Sequence, residues 1–183
     1  AADPGPACYG RGGNDATVTD AYVHLGIIAP DRFLGGQIQL SPDRAAAALA
    51  RLGARLGLDT RATAQAILDV ATSNMYAQFT PLMARKGVDP RDFAILAYGG
   101  AGPTHAFLLA REVGIREVIV PASPGTLCAL GCLAEGGQLL SHGHIVPLPA
   151  DATQPRCLAL VAVADHVAQG LVHRVLVVVV VGI

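Results

Sequence analysis

The chain has 183 residues, of which 52% are hydrophobic and 15% are charged. This length is typical of one domain, and the apolar content excludes a disordered polar chain. Thirteen basic and fourteen acidic residues give a net charge of −1, which provides no general attraction to nucleic acid or anionic lipid. Aromatic residues make up only 4% of the chain, which disfavours a base-stacking surface. The composition is typical of an α/β protein.

Neither end of the chain has the pattern of a targeting or membrane segment. The first six residues contain no Met, no basic stretch and no apolar stretch, so we expect no signal peptide and interpret this start as the middle of a longer chain. The apolar run 175–181 is shorter than the ~20 residues that span a bilayer. The cysteines follow no C-x-x-C spacing, and disulfides stay open. Because a core this apolar does not need disulfides, we expect a reduced, cytoplasmic location.

The first part of the chain predicts a loop followed by helices. Residues 4–13 are dense in Gly and Pro and predict a loop, and residues 21–25 suit a short helix or strand. Ser41 is a candidate N-cap for a helix that runs to Leu56 and ends at Gly57. On this helix we expect Arg44, Arg51 and Arg55 to face outward. We expect Leu49, Leu52 and Leu56 to face inward.

A longer helix is predicted from Thr60 to Lys86, with Gly87 closing it, because apolar residues recur at helical spacing. Pro81 lies inside this helix. Since proline lacks a backbone N–H and its ring clashes with the preceding turn, we expect it to kink the helix or split it in two.

The clearest fold signal is a strand, a glycine turn, a helix and a second strand. Residues 93–98 form a continuous apolar run suited to a strand buried on both faces, and residues 99–103 form the turn. A helix continues to Val113, and residues 117–120 form the next strand. This order predicts a βαβ unit. A further helix is expected over 126–133; after Glu135 the pattern weakens, so that the rest is either a poorly specified strand or sequence foreign to the fold.

The glycine turn is the strongest candidate for a binding site. Glycines between a strand and a helix let a ligand approach the backbone, where free N–H groups favour an anion, although the same turn also suits a ligand-free connection. A Walker loop is excluded because the only lysine, Lys86, lies elsewhere. A dinucleotide fingerprint is excluded because His105 occupies its third glycine position and Pro121 stands where the acidic ribose partner belongs.

The loop 4–13 and Asp20 form a second candidate site. Gly10, Gly12 and Gly13 predict a flexible loop, with Arg11 available to pair with an anion. Asp20 suits either a Mg²⁺ ligand or, more simply, a helix cap.

Other polar residues give weaker signals. His105 suits either a hydrogen bond to substrate or a helix cap. Cys128 and Cys132 lie four residues apart with no third ligand nearby, which favours buried thiols over a metal site, and His142 and His144 lie where the pattern is weak. The metal ligands stay unknown.

Seven distinctive segments follow one another between Ala2 and Gly131. Their order and spacing resemble the hydantoinase A/5-oxoprolinase family over residues 1–135, and the tail 136–183 falls outside the resemblance. The segments are Ala2–Gly13, Thr17–Ala21, Arg32–Gly36, Asp89–Phe93, Gly99–Ala106, Val118–Pro121 and Pro124–Gly131.

The resemblance implies an actin-like ATPase fold, in which two ribonuclease-H-like lobes enclose a nucleotide. It implies ATP and Mg²⁺ as cofactors, a small cyclic amide as substrate and a hydantoinase B-type subunit as partner. The adenosine side of the cleft is expected at Gly99, Gly100, Gly102 and Pro103. Asp20 and His105 are the candidate catalytic residues.

The chain departs from the family pattern at the phosphate loops. The amino-terminal lobe with the first loop is missing, as is the second loop of the D-x-G-G-T type, so we expect an incomplete domain without ATPase activity of its own. The tail is expected to be a divergent end or a product of a shifted reading frame. Three alternatives stay open: a silent truncated chain, an assembly piece that binds the partner subunit, and an acetone carboxylase-type subunit. A nicotinamide-binding domain is disfavoured.

Overall fold

The computed structural model describes residues 3–129, 159–168 and 171–180. The chain divides into two compact units, residues 1–73 and residues 74–183. None of the helices in the described ranges is long and apolar enough to cross a membrane. In chain order the helices and strands are α1 (Val18–His24), α2 (Pro42–Leu56), α3 (Thr60–Lys86), β1 (Ala94–Tyr98), α4 (Gly102–Val113), β2 (Glu117–Ile119), β3 (Ala159–Ala168) and β4 (Leu171–Val180).

The first unit begins with a short 3₁₀ turn, Ala7–Tyr9, followed by α1. The segment predicted as a short helix or strand is therefore helical. Thr17 is its N-cap: the Asp20 N–H donates to the Thr17 hydroxyl at 3.3 Å, and the Thr17 N–H donates to the Asp20 carboxylate at 2.9 Å. This reciprocal pair is a capping box, which satisfies two N–H groups that a helix start would otherwise leave unpaired.

The bounds predicted for α2 are confirmed. Its N-cap Ser41 accepts a hydrogen bond from the Arg44 N–H at 3.3 Å, and Gly57 ends it with φ +69°, a left-handed conformation that glycine adopts without strain. The prediction that Leu56 faces inward is wrong, because its side chain is 57% exposed. Leu56 lies beyond Gly53, the last buried position of the helix, so no neighbouring element covers it.

The core of the first unit joins the amino-terminal turn to the start of α2. Tyr9 and Phe33 pack at its edge with their ring centroids 5.8 Å apart. The buried members of this core are Cys8, Val23, Leu40 and Ala45.

Helix α3 runs without interruption through Pro81, and Gly87 follows it with φ +63°. The prediction that Pro81 splits the helix is wrong. Pro81 is exposed, so water can reach the carbonyl that loses its N–H partner. Phe79 and Met83 on either side are buried, and their packing favours the helical conformation over a break.

The second unit contains a four-stranded sheet in the order β2-β1-β4-β3. Strand β1 is central and pairs in parallel with β2 and with β4, while β3 and β4 are antiparallel. The βαβ unit is confirmed: α4 joins β1 to β2 and ends at Gly114, which has φ +84°. The core packs α4 and the second half of α3 around β1, and its buried residues are Met75, Phe79, Met83, Phe93, Ile95, Ala97, Ala106, Leu109, Ala110 and Ile115.

Two predictions fall at the edge of the described ranges. The expected helix over 126–133 corresponds to a 3₁₀ turn, Pro124–Thr126, followed by helical residues 127–129, and its remainder lies outside the described residues. The tail with weak patterning contains β3 and β4, so its backbone continues the sheet of the second unit.

Candidate functional site

The glycine turn lies at the carboxyl end of the central parallel strand. Gly99 follows β1 with φ +84°, and its N–H donates to the carbonyl of Pro124 at 2.8 Å. This bond fastens the 3₁₀ turn Pro124–Thr126 to the end of β1. Ligands of α/β proteins commonly bind at the carboxyl ends of parallel strands, so the turn occupies the position where the fold class places a binding site.

The backbone of this turn is open to a ligand. A Cβ built on Gly100 would meet nothing within 4 Å, and one on Gly102 would meet only the Ala97 carbonyl carbon, at 3.7 Å. Ala101, the N-cap of α4, makes no side-chain capping bond. The first N–H groups of α4 have no carbonyl of the same helix to which they can donate. Such N–H groups at the positive end of a helix favour a negatively charged or electron-rich ligand group.

His105 lies one turn into α4 and points into the core of its unit. Its side chain is 1% exposed and borders a cavity of about 10 Å³ that Met75, Ile95 and Leu109 also line. Burial lowers the pKa of His105, because an apolar environment disfavours the imidazolium. The N-cap position belongs to Ala101, so His105 is not the cap of α4. A catalytic contact for His105 stays a prediction.

The burial of His105 gives a testable pH dependence. Its folded-state pKa lies below the unfolded value of about 6.5, so only the unfolded chain takes up a proton just below that pH. We therefore expect the free energy of unfolding contributed by this group to be complete above about pH 6.5 and to fall as the pH drops toward the folded-state pKa. Chemical unfolding between pH 7.5 and pH 5.5 measures it.

A His105→Gln variant should lose this part of the pH dependence. His24→Gln is the control, since His24 lies half-buried in the last turn of α1. Equal slopes of unfolding free energy against pH for wild type and His105→Gln would contradict the assignment.

Asp20 is completely buried beneath the amino-terminal loop. Its carboxylate accepts hydrogen bonds from the N–H groups of Cys8 at 2.7 Å, Ala7 at 3.3 Å and Thr17 at 2.9 Å, and from the Thr17 hydroxyl at 2.7 Å. The capping alternative is therefore confirmed, and Asp20 also fastens residues 7–8 to α1. Its candidate role in catalysis stays a prediction.

The thiol of Cys8 packs against the same carboxylate. The pKa of Cys8 is raised to about 12, first by burial and then by its side-chain hydrogen bond to Asp20 and the charge of that group. A thiol with such a pKa is protonated at neutral pH and is a poor nucleophile. Cys8 therefore acts here as a packed hydrogen-bond donor.

The sequence did not reveal that Cys128 is exposed, and the prediction of a buried thiol at this position is wrong. Cys128 follows the 3₁₀ turn Pro124–Thr126 in a stretch where most residues are exposed. Cys132, His142 and His144 lie outside the described residues. In the part of the chain that the structure describes, no three His, Cys, Asp or Glu residues converge as a metal site.

A family model described as hydantoinase/oxoprolinase matches residues 1–135. The α subunit of caprolactamase from Pseudomonas jessenii is 38% identical over 131 residues, which cover 71% of this chain and 19% of the relative. The γ subunit of acetophenone carboxylase from Aromatoleum aromaticum is 39% identical over 129 residues, 70% of this chain and 17% of the relative. 5-oxoprolinase 1 from Arabidopsis thaliana is 33% identical over 147 residues, which cover 71% of this chain and 12% of the relative.

Two solved structures have the same backbone arrangement. The ATP-dependent caprolactamase of Pseudomonas jessenii superposes with a TM-score of 0.66 at 38% identity, over 72% of this chain and 19% of that chain. The nucleotide-free structure of acetone carboxylase superposes with a TM-score of 0.65 at 31% identity, over 70% of this chain and 18% of that chain. The chain thus spans about a fifth or less of the length of these relatives.

Proposed function

Since the chain belongs to the hydantoinase/oxoprolinase family, we propose that it is part of an ATP-dependent enzyme that hydrolyses a cyclic amide. The names of its relatives support ATP dependence and amide chemistry: one solved relative is titled an ATP-dependent caprolactamase, and another relative is a 5-oxoprolinase. The proposed role of this chain is to supply the adenosine side of a nucleotide cleft in an actin-like fold.

The open turn between β1 and α4 is the observation that carries this proposal. Gly100 leaves room for close approach of a ligand, and the N–H groups at the start of α4 can donate to a nucleotide. Gly99, Gly102 and Pro103 set the path of the backbone on either side. Bound ATP would supply the phosphoryl group that activates the amide oxygen, with Mg²⁺ neutralising its charge. We expect the contacts to the phosphates of ATP to come from segments of the enzyme outside this chain.

Asp20 and His105 enter the proposal as positioning residues. Both are buried, at 0% and 1% exposure. Asp20 holds the amino-terminal loop on α1, and His105 packs the first turns of α4 onto β1. Each therefore supports the backbone of its own unit, which is a different role from contact with the reacting atoms.

A partner subunit is part of the proposal, because relatives are named as subunits: caprolactamase α, acetophenone carboxylase γ and acetone carboxylase β. We propose a hydantoinase B-type chain as that partner, a cytoplasmic location, and a boundary at residue 135 between the family domain and a divergent tail. A carboxylase-type subunit is the second candidate, favoured by identities of 39% and 33% to two carboxylase subunits. A silent chain or assembly piece is the third.

Nucleotide binding to the intact chain tests the central step. We expect ATP with Mg²⁺ to raise the thermal unfolding midpoint, since a ligand that binds only the folded state stabilises it, and we expect NAD to leave the midpoint unchanged. Gly100→Ala should unfold within about 0.5 kcal/mol of wild type without nucleotide, because its Cβ meets no atom. The same methyl group would occupy the surface that the nucleotide approaches, and should weaken ATP binding roughly tenfold.

Titration calorimetry separates the outcomes. ATP affinity that is unchanged in Gly100→Ala would remove the glycine turn from the nucleotide site, and a response to NAD equal to that to ATP would contradict the family-based assignment.

A further inference from the structure

Two exposed arginines lie at the glycine-rich loop of the first unit. We name residues Gly10–Asn14 the arginine loop. Arg11 lies in the loop itself and Arg44 lies in the first turn of α2, and both are exposed. A Cβ built on Gly10 would lie 3.9 Å from both Cζ and Nε of Arg44. The Arg44 guanidinium therefore lies directly over the loop residue that precedes Arg11.

Helix α2 directs a second guanidinium to the same loop. Arg44 and Arg51 are seven residues apart, about two helical turns, and so lie on one face of α2. The Nη2 of Arg51 donates a hydrogen bond to the carbonyl of Asn14. Arg51 is thus engaged in holding the far end of the loop, while Arg44 lies over its near end.

The base of the arginine loop contacts residues 5–7. A Cβ built on Gly13 would lie 2.1 Å from the Gly5 carbonyl oxygen, so the two backbones touch. The Gly10 N–H donates to the Ala7 carbonyl at 3.1 Å, and Asp20 holds Ala7 from below. A rigid loop presents its groups to a ligand with little loss of conformational entropy.

The charged groups of the loop are available. The ion pair of Asp89 with Arg91 is the only one within the described ranges, so neither Arg11 nor Arg44 has an acidic partner there. The guanidinium groups of Arg11 and Arg44 are therefore available to an anion from solvent.

We propose that the arginine loop binds an oxyanion, a phosphate or a carboxylate, through the guanidinium groups of Arg11 and Arg44. A planar guanidinium matches both anions because it can donate two parallel hydrogen bonds to their oxygens. The site lies in the unit formed by residues 1–73, whereas the glycine turn lies in the unit formed by residues 74–183. The inference therefore does not depend on the proposed nucleotide site.

Amide-resolved NMR of the intact 18.7 kDa chain tests this inference. Titration with inorganic phosphate, and separately with acetate, at constant ionic strength should shift the N–H signals of Arg11, Gly12 and Gly13 in a saturable manner. The anion with the lower Kd identifies the kind of oxyanion. Arg11→Gln and Arg44→Gln should each weaken binding roughly tenfold, as expected when a charged hydrogen-bond donor is removed.

Arg55→Gln is the matched control, because Arg55 is exposed on the same helix in its last turn. It should bind as wild type does. The proposal is overturned if neither anion shifts the loop signals, or if the double variant Arg11→Gln/Arg44→Gln binds with wild-type affinity. All three arginines are exposed, so the variants should keep the wild-type spectrum elsewhere, which the same experiment records.

Discussion

Asp20→Asn is expected to lower the free energy of unfolding by roughly 2–4 kcal/mol. The carboxylate accepts hydrogen bonds from three backbone N–H groups, from the Thr17 hydroxyl and from the Cys8 thiol. An asparagine has nearly the same shape but only one acceptor oxygen, and its NH₂ group would face N–H donors. Since Asp20 is 0% exposed, water cannot take over the lost bonds.

Urea unfolding followed by circular dichroism measures this loss. Asp15→Asn is the control: Asp15 is exposed near the same loop, and its replacement should change stability by less than about 0.5 kcal/mol. The comparison also separates two roles for Asp20. If Asp20 were purely catalytic, Asp20→Asn would keep the stability of the wild type and lose activity. If its hydrogen bonds hold the loop, Asp20→Asn loses much of its stability.

The elements that sequence predicted well are those with strong local signals. Ser41 before Pro42 and the closing Gly57 determined α2, because capping and left-handed glycine conformations depend on the residue itself. The βαβ unit was predictable for a similar reason: a continuous apolar run, a cluster of glycines and a helix closed by Gly114 follow one another within a few residues.

The errors arose where neighbouring elements decide the outcome. Leu56 continues the apolar face of α2, but its side chain is 57% exposed, although Gly53 in the same turn is buried. Pro81 was expected to interrupt α3, but buried Phe79 and Met83 hold both sides of it. A pattern along one helix does not record which partner is present, so burial and the effect of a proline depend on tertiary contacts.

The candidate site was predictable only in part. The glycine turn was located by its residues, since glycines between a strand and a helix are a local signal. The burial of His105 was not, because an imidazole after a glycine turn can point outward or inward. Arg44 was expected only to be exposed. Its position over Gly10 results from the packing of α2 beside the loop, and no sequence signal connects residues so far apart.

Gly13→Ala is expected to destabilise the chain by about 3 kcal/mol, the upper end of the usual range for overpacking. The new Cβ would lie 2.1 Å from the Gly5 carbonyl oxygen and 3.1 Å from the carbonyl carbons of Gly5 and Pro6. Backbone atoms cannot rotate away as a side chain can, so the loop must separate from residues 5–6. The contact, rather than the backbone conformation of Gly13, causes the loss.

Gly125→Ala provides the matched comparison, because a Cβ there meets no atom within 4 Å and should cost little. Both variants undergo the same chemical change, so the difference between their urea unfolding free energies isolates the contact between Gly13 and Gly5. The loop displaced by Gly13→Ala should also bind phosphate more weakly, since the position of Gly10 and Arg11 relative to Arg44 on α2 would change. A Gly13→Ala variant as stable as Gly125→Ala would show that the loop is not held in place, and the rigid presentation of Arg11 would then lose its structural basis.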